Sequence, residues 1–307
     1  MENSGKLTFF SKIAILLLCF HISLPILSSE SSLEGIAKLY PEVIGKGGHG
    51  EIRTKKGDST VIKLSKKSNV CSDYKKEFEI QSQIYGKYNS LSHPKGFKER
   101  ATILKPEKYE EAKSFCFFKM ERLRPVLETS PLLDQLYLGE TADYDKIIKI
   151  DDYIRGHYIG FNQVEQIVNK YPKHSADKSN MEQLCYDFGR LLATVQLAAK
   201  FDGNDFELVL SKSTGKPPYK ISIIDFDKME SMADLFKDFK EENIKKIVTK
   251  TEWVFEAEPY VPDPSSDCYK NFAEGYLGLA KQLDAQERTN FYSKTAQAML
   301  DNFKQNF

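Results

Sequence analysis

The 307 residues carry 44 basic and 44 acidic side chains, a net charge of zero, and 41% of the chain is hydrophobic. That balance excludes the basic excess of a nucleic-acid binder, and short runs such as Lys55-Lys56 and Lys75-Lys76 read as solvated faces. The apolar content suffices for one large domain or for two lobes with a shared core.

Taken in chain order, Lys6 and Lys12 precede the apolar run "IAILLLCF", followed by Pro25 and a cluster of serines. These are the parts of a secretory signal peptide over residues 1–30, with cleavage expected between Ser28 and Ser31. The run is interrupted by His21 and Pro25 and is short for a membrane span. An uncleaved anchor is the alternative, and no stable span is expected once the leader is removed. Beyond it lie Cys71, Cys116, Cys185 and Cys268, an even number that permits two disulfides in an exported chain. Their wide spacing argues against structural zinc. Cys116 in "FCFF" reads as a buried small hydrophobe, so mostly free thiols are expected. No Asn-x-Ser/Thr triplet marks a glycosylation site.

The stretch from Ile36 to Lys67 alternates short apolar runs with Gly, Lys and Asp and reads as β-hairpins. One surrounds a glycine loop between Val43-Ile44 and Ile52; another turns at Lys56-Gly57-Asp58 into a strand from Thr60 to Leu64. "SDYKKEFEIQSQIYGKY" reads as an amphipathic helix capped by Ser72 or Asp73. "ATILKPEKYEEAKSFCFFKMERL" reads as two strands joined by a charged turn. From Pro125 onward the pattern is helical. "NMEQLCYDFGRLLATVQLAAKF" has Leu184, Phe188, Leu191, Leu192, Val195 and Ala199 at core-helix spacing. "DGNDFELVL" follows, then the apolar strand "KISII" ending in Asp225-Phe226-Asp227, and the tail gives two more amphipathic helices. A β-rich N-lobe over 33–124 and a helical C-lobe over 125–307 make an α+β, bilobal fold.

Three features carry chemistry. Gly45, Gly47 and Gly50 fit G-x-G-x-x-G between two strands, where backbone N–H groups can fold over phosphates. Lys63 ends an apolar strand, and facing inward it needs an anion, which Glu77 on the following helix suits. Asp202, Glu207 and Asp225 follow in order. The histidines beyond the leader, His49, His93, His157 and His174, form no metal-spaced set.

In this order and spacing the residues resemble the protein kinase-like fold across Val43 to Asp227. The resemblance implies that the glycine loop covers phosphates and that Lys63, paired with Glu77, holds the α- and β-phosphates. Met120 to Leu123 would be the hinge, with backbone groups of Glu121 and Leu123 contacting adenine. Asp202 would stand as the catalytic-loop base, and Asp225 as the metal-binding Asp of D-F-G. The stretches "QLYLGE", "LLATVQLAAKFDGNDFELVL", "IIDFDKM" and "EAEPYVPDP" bear a closer likeness to a domain of unknown function found mainly in fungal proteins, some labelled zinc-finger proteins. Several positions depart from the kinase pattern: Lys200-Phe201 replace His-Arg, Asn204 replaces a lysine, Glu207 replaces the metal-binding Asn and Asp227 replaces Gly. Glu207 still offers oxygen to Mg²⁺. Asp227 reads as a second metal ligand or, preferably, a solvated strand-end acid, and Asp205 as either a turn cap or a direct catalytic part.

The resemblance implies an ATP- and Mg²⁺-dependent phosphotransferase acting on a hydroxyl of a protein or small molecule. The alternative is a pseudokinase, the same fold serving as a nucleotide- or partner-binding module. The partners expected are a nucleotide and an unidentified acceptor, with no nucleic acid, and the chain is expected to be a monomer. A leader beside a nucleotide site suggests an exported effector delivered into another cell.

Overall fold

The computed structural model describes residues 32–46, 50–123, 157–158, 175–212, 219–256 and 261–306. The leader, Gly47, His49, the expected lobe boundary after residue 124, His174 and part of the fungal-like stretches lie outside them.

The N-terminal half is built on a five-stranded antiparallel sheet in the order β1-β2-β3-β6-β5. Its strands are β1 (Glu42–Lys46), β2 (Glu51–Thr54), β3 (Thr60–Ser65), β5 (Pro106–Glu111) and β6 (Cys116–Glu121). β1 and β2 pair from Glu42↔Thr54 to Lys46↔Glu51, closing the hairpin around the glycine loop. The β2–β3 turn uses Gly57 at φ 81°, and the Asp58 carboxylate accepts from the Thr60 N–H at 3.2 Å. This is the φ > 0 position and side-chain-to-backbone bond that such a turn demands.

β3 lies at the centre and is buried on both faces, which explains its β-branched run. Ile62 and Leu64 pack with Ile36 of helix α1 (Leu33–Leu39), whereas Val61 faces the cluster of Tyr74, Leu104, Phe118 and Met120. Lys63 shares the Val61 face by strand alternation and so points into the same side of the sheet. The long helix α2 (Cys71–Ser90) lies against that side. Its N-cap is Val70, with no side-chain hydrogen bond, so neither Ser72 nor Asp73 caps it. α1 corrects the all-hairpin expectation: Ser32 accepts from the Gly35 N–H at 3.0 Å and starts a short helix ahead of Pro41.

A second sheet runs in the order β4-β9-β8-β7. β4 (Ala101–Ile103) pairs parallel with β9 (Tyr219–Ile224), and β8 (Glu207–Lys212) pairs antiparallel with β9. β7 is His157–Tyr158. The segment expected to form two strands therefore forms three: β4 joins this sheet, and only β5 and β6 make the hairpin. A short helix α3 (Phe97–Arg100) precedes β4.

The larger core belongs to α4 (Ser175–Ala193), which ends in a π-turn over Thr194–Ala198, with α5 (Glu241–Glu256), α6 (Asp267–Glu287) and α7 (Phe291–Asn306). α4 and α6 cross at closest approach, because Gly189 leaves its Cβ space to the Phe272 carbonyl and Gly275 leaves its own to the Tyr186 carbonyl. Phe188 packs at a tilt against Phe272 beside the crossing, ring centroids 5.3 Å apart. The β-rich half followed by a helical half is the α+β architecture read from the sequence.

The free-thiol expectation is overturned. Cys71 pairs with Cys116, Cα atoms 5.6 Å apart, and Cys185 pairs with Cys268 at 5.4 Å. The first joins the start of α2 to the start of β6, and the second joins α4 to α6. Cys116 is buried as expected, but as half of a cystine. Spacing carried no sign of this, since each pair closes a long loop that only the tertiary fold brings together.

Gly189→Ala should destabilise the protein by about 1–3 kcal/mol, because its Cβ meets helix backbone that cannot yield cheaply. Gly278→Ala on α6 meets only the Tyr186 hydroxyl at 3.6 Å. It should be neutral or stabilising by up to about 1 kcal/mol, from helix propensity alone. Urea denaturation of the two variants measures both.

Candidate nucleotide site

A cleft of about 370 Å³ lies where the first sheet, α2 and the end of β9 meet. Ile44, Ile52, Val61, Leu104, Val209 and Ile224 supply apolar walls, and Lys63, Glu77, Glu207, Asp225 and Asp227 supply charge. A mainly apolar slot with a few convergent charges suits a planar ring carrying an anionic tail.

Lys63 is the centre of that charge. Its Nζ donates to Glu77 Oε1 and Oε2 at 2.8 and 2.7 Å and to Asp225 Oδ1 at 3.2 Å. Its side chain is 20% exposed and that of Glu77 only 5%. Burial alone would lower the Lys63 ammonium pKa, but the charges of Glu77 and Asp225 outweigh it and raise the pKa above the ordinary range. Burial pushes the Glu77 carboxyl up, against the pull of Lys63. The lysine therefore stays cationic at any physiological pH.

Three elements make this meeting. β3 alternation aims Lys63 inward. Glu77 sits on the α2 face that also carries Tyr74 and Gln81, three residues before and four after; all three are buried. The Gln81 amide donates to the Leu104 carbonyl at 2.9 Å, fixing that face to the link between β4 and β5. Asp225 leaves β9 at φ 62°, a left-handed conformation unfavourable for a non-glycine residue and held here by its surroundings. Phe226 is buried in the helical core, which turns Asp225 the other way, toward Lys63. Lys76 Nζ donates to the Asp227 carbonyl at 3.1 Å and ties the same segment to α2.

Glu207 is brought beside this segment by register: it pairs with Ile224 at the open end of the β8–β9 hairpin and lines the cleft. Asp227 lines it too and is half-buried, which corrects its reading as a solvated strand-end acid. Its carboxyl is pushed up by burial and by the neighbouring Asp225 charge. Gly45, Gly50, Glu121 and Leu123 are all cleft-lining. The Glu121 N–H is taken by the Lys105 carbonyl at 3.0 Å and the Arg122 N–H by the Ser59 carbonyl at 2.8 Å.

Asp202 stands apart. It is buried and absent from the cleft lining. Its carboxylate accepts from the Asn204 N–H at 3.2 Å, the Asn204 amide at 2.8 Å and the Glu230 N–H at 2.9 Å. Burial raises its pKa, and the Glu230 and Asn204 N–H groups draw it back. Its carbonyl accepts from Gln196, which in turn accepts from the buried Tyr276 hydroxyl at 2.7 Å, so α6 braces the loop. Asn204 thus holds Asp202 in place through both its backbone N–H and its side-chain amide. Asp205, exposed at φ 57°, is the outward-facing acid of this loop.

The donor set fits magnesium and a polyphosphate: Glu207, Asp225 and Asp227 are hard oxygen donors, and Lys63 is a fixed cation among the cleft-lining residues. Among the described residues no cluster is already gathered as a metal site. Sequence reasoning missed Tyr74 and Gln81, and for Asp227 it preferred the solvated reading to the cleft position. The three- and four-residue spacing around Glu77 was the available signal for the first two.

Comparison with known proteins adds little to this geometry. No family model and no curated protein matches the chain. Among solved structures it is similar to a crystallised kinase domain from Plasmodium, at 13% identity and a TM-score of 0.35, covering 78% of this chain. The chain spans 62% of that domain's length.

Glu77→Ala should cost about 3–5 kcal/mol, because it leaves a buried lysine with one partner. In a cycle combining Lys63→Met with Glu77→Gln, urea denaturation should give a coupling above about 1 kcal/mol. A coupling near zero would show that the pair behaves as an exposed one.

Proposed function

We propose that the protein is a divergent kinase-like phosphotransferase that binds Mg-ATP in this cleft and transfers phosphate to a hydroxyl. The observation that carries the reading is the convergence of Lys63, Glu77 and Asp225, from three separate segments, in one half-enclosed cleft. A merely structural ion pair has no need of a third charged partner in a left-handed backbone at the mouth of a cavity. Lys63 would hold phosphate oxygens, Glu77 would keep the lysine in place, and Asp225 with Glu207 and Asp227 would hold the metal. The apolar walls and the backbone of Glu121 and Leu123 would seat the base. Bound Mg²⁺ supplies charge neutralisation, and the chain's contribution is mostly positioning. Asp202 would orient or deprotonate the acceptor.

A second reading is favoured by a specific observation. The Asp202 carboxylate is already occupied by three donors and does not line the cleft, as suits a nucleotide-binding module without transfer. Export into an oxidising compartment is supported by the leader-like start and by the two disulfides, and delivery into another cell would supply ATP.

Mg-ATP at about a hundred times its dissociation constant should stabilise the fold by about 2.7 kcal/mol, read as a rise in melting temperature. Lys63→Ala and Asp225→Ala should abolish the rise, and its absence in the wild type would refute the nucleotide reading. Loss of the γ-phosphate on incubation with hydroxyl acceptors, reduced about 10²–10⁴-fold by Asp202→Asn, supports transfer. Binding without turnover supports the module.

A further inference from the structure

Tyr74 lies on α2 one turn before Glu77, is 2% exposed, and lines the cleft. Its ring packs edge-on against Phe118 at 5.9 Å, and the Lys63 ammonium sits 5.6 Å from its centroid. These contacts fix the ring, so its hydroxyl has a defined place: directly beneath Gly50, where any Cβ would collide with it and with the Leu64 carbonyl. Among the described residues that hydroxyl has no hydrogen-bond partner. The other buried polar atoms left unpaired, on His93, Arg190, Asn204, Ser222 and Gln282, belong to residues away from the cleft lining.

The contrast with its neighbours is informative. Lys63, Glu77 and Gln81 on the same wall are paired. Folded proteins pair their buried hydroxyls, and one left over calls for an explanation. Phenylalanine would fill the same space without the unpaired oxygen. Glu77 and Asp225, the carboxylates on this side of the cleft, both accept from Lys63. A donor fixed under the last glycine of the loop, on a cleft-lining residue whose ring lies beside Lys63, borders the part of the cleft where an oxyanion would be held.

We propose that the Tyr74 hydroxyl is a phosphate-binding group that donates a hydrogen bond to a phosphate oxygen of the bound nucleotide, acting alongside Lys63. The proposal rests on the nucleotide reading above and adds to it a residue outside the glycine, lysine and acidic set. Burial pushes the Tyr74 phenol up to about 12, so it remains a neutral donor at working pH. The contact discriminates by ligand: nucleotides with a polyphosphate gain it, and a nucleoside does not.

Tyr74→Phe tests this with ADP, ATP and adenosine as probes, measured by displacement of a fluorescent nucleotide, alongside the melting temperature of the free protein. The expected result is roughly tenfold weaker ADP and ATP binding, the loss of one charge-assisted hydrogen bond. Adenosine affinity should be unchanged and the melting temperature equal or higher, since an unpaired buried oxygen is removed. If the variant binds ADP as the wild type does, the Tyr74 contact is wrong while the nucleotide reading stands. Parallel weakening of all three probes with a lower melting temperature assigns the hydroxyl a structural role and also overturns the proposal. If the wild type binds none of the probes, the nucleotide reading falls, and the contact with it.

Discussion

An ammonium group with 20% of its side chain exposed, fixed between two carboxylates from distant parts of the chain, is the constraint around which this molecule is organised. Lys63 cannot be buried alone, because the loss of hydration is too large. Glu77 must therefore be delivered by α2 and Asp225 by the end of β9. Each delivery has its own support: the α2 cystine and the Gln81–Leu104 bond on one side, the strained Asp225 backbone and buried Phe226 on the other. The glycine-loop hairpin and the apolar walls then close around a point where charge is already concentrated.

The second sheet explains how two halves can hold so short a bridge. β4 leaves α3, pairs with β9, and within three residues the chain enters β5 of the first sheet. The strand that presents Asp225 is thus hydrogen-bonded to a segment whose continuation lies beside β6. Arg100, just ahead of β4, binds the fully buried Asp187 of α4 through two nitrogens. A rigid path of backbone and ion pair therefore runs from the helical core to the cleft.

Much of this was legible in the sequence because it depends on local pattern. The β-branched runs ending at Lys63 and Asp225, the glycines between two strands and the helical spacing around Glu77 and Phe188 each encode an element and a direction. What was not legible depends on contacts between distant residues or on masked pattern. Helix α5 was missed although Ile244, Ile247, Thr251 and Val254 recur at three and four, because dense charge in "KEENIKK" hid the stripe. Helix α1 is too short for periodicity to show. Asp202 lies in the loop ahead of β8, and its saturation by Asn204 and Glu230 is a tertiary fact. The same holds for the cystines, for Asp227 turning into the cleft and for the unpaired hydroxyl of Tyr74.

Both cystines lie within a half: Cys71 begins the helix that carries Glu77, six residues before it, and Cys116 opens β6. The charge cluster is therefore held from one end by a covalent bond that thiol reductants cut. Buffers containing dithiothreitol, routine in work with intracellular phosphotransferases, would free the start of α2 and loosen the face that positions Lys63. Preparations refolded or stored under reducing conditions would be a different molecule at the cleft, even with every side chain unchanged.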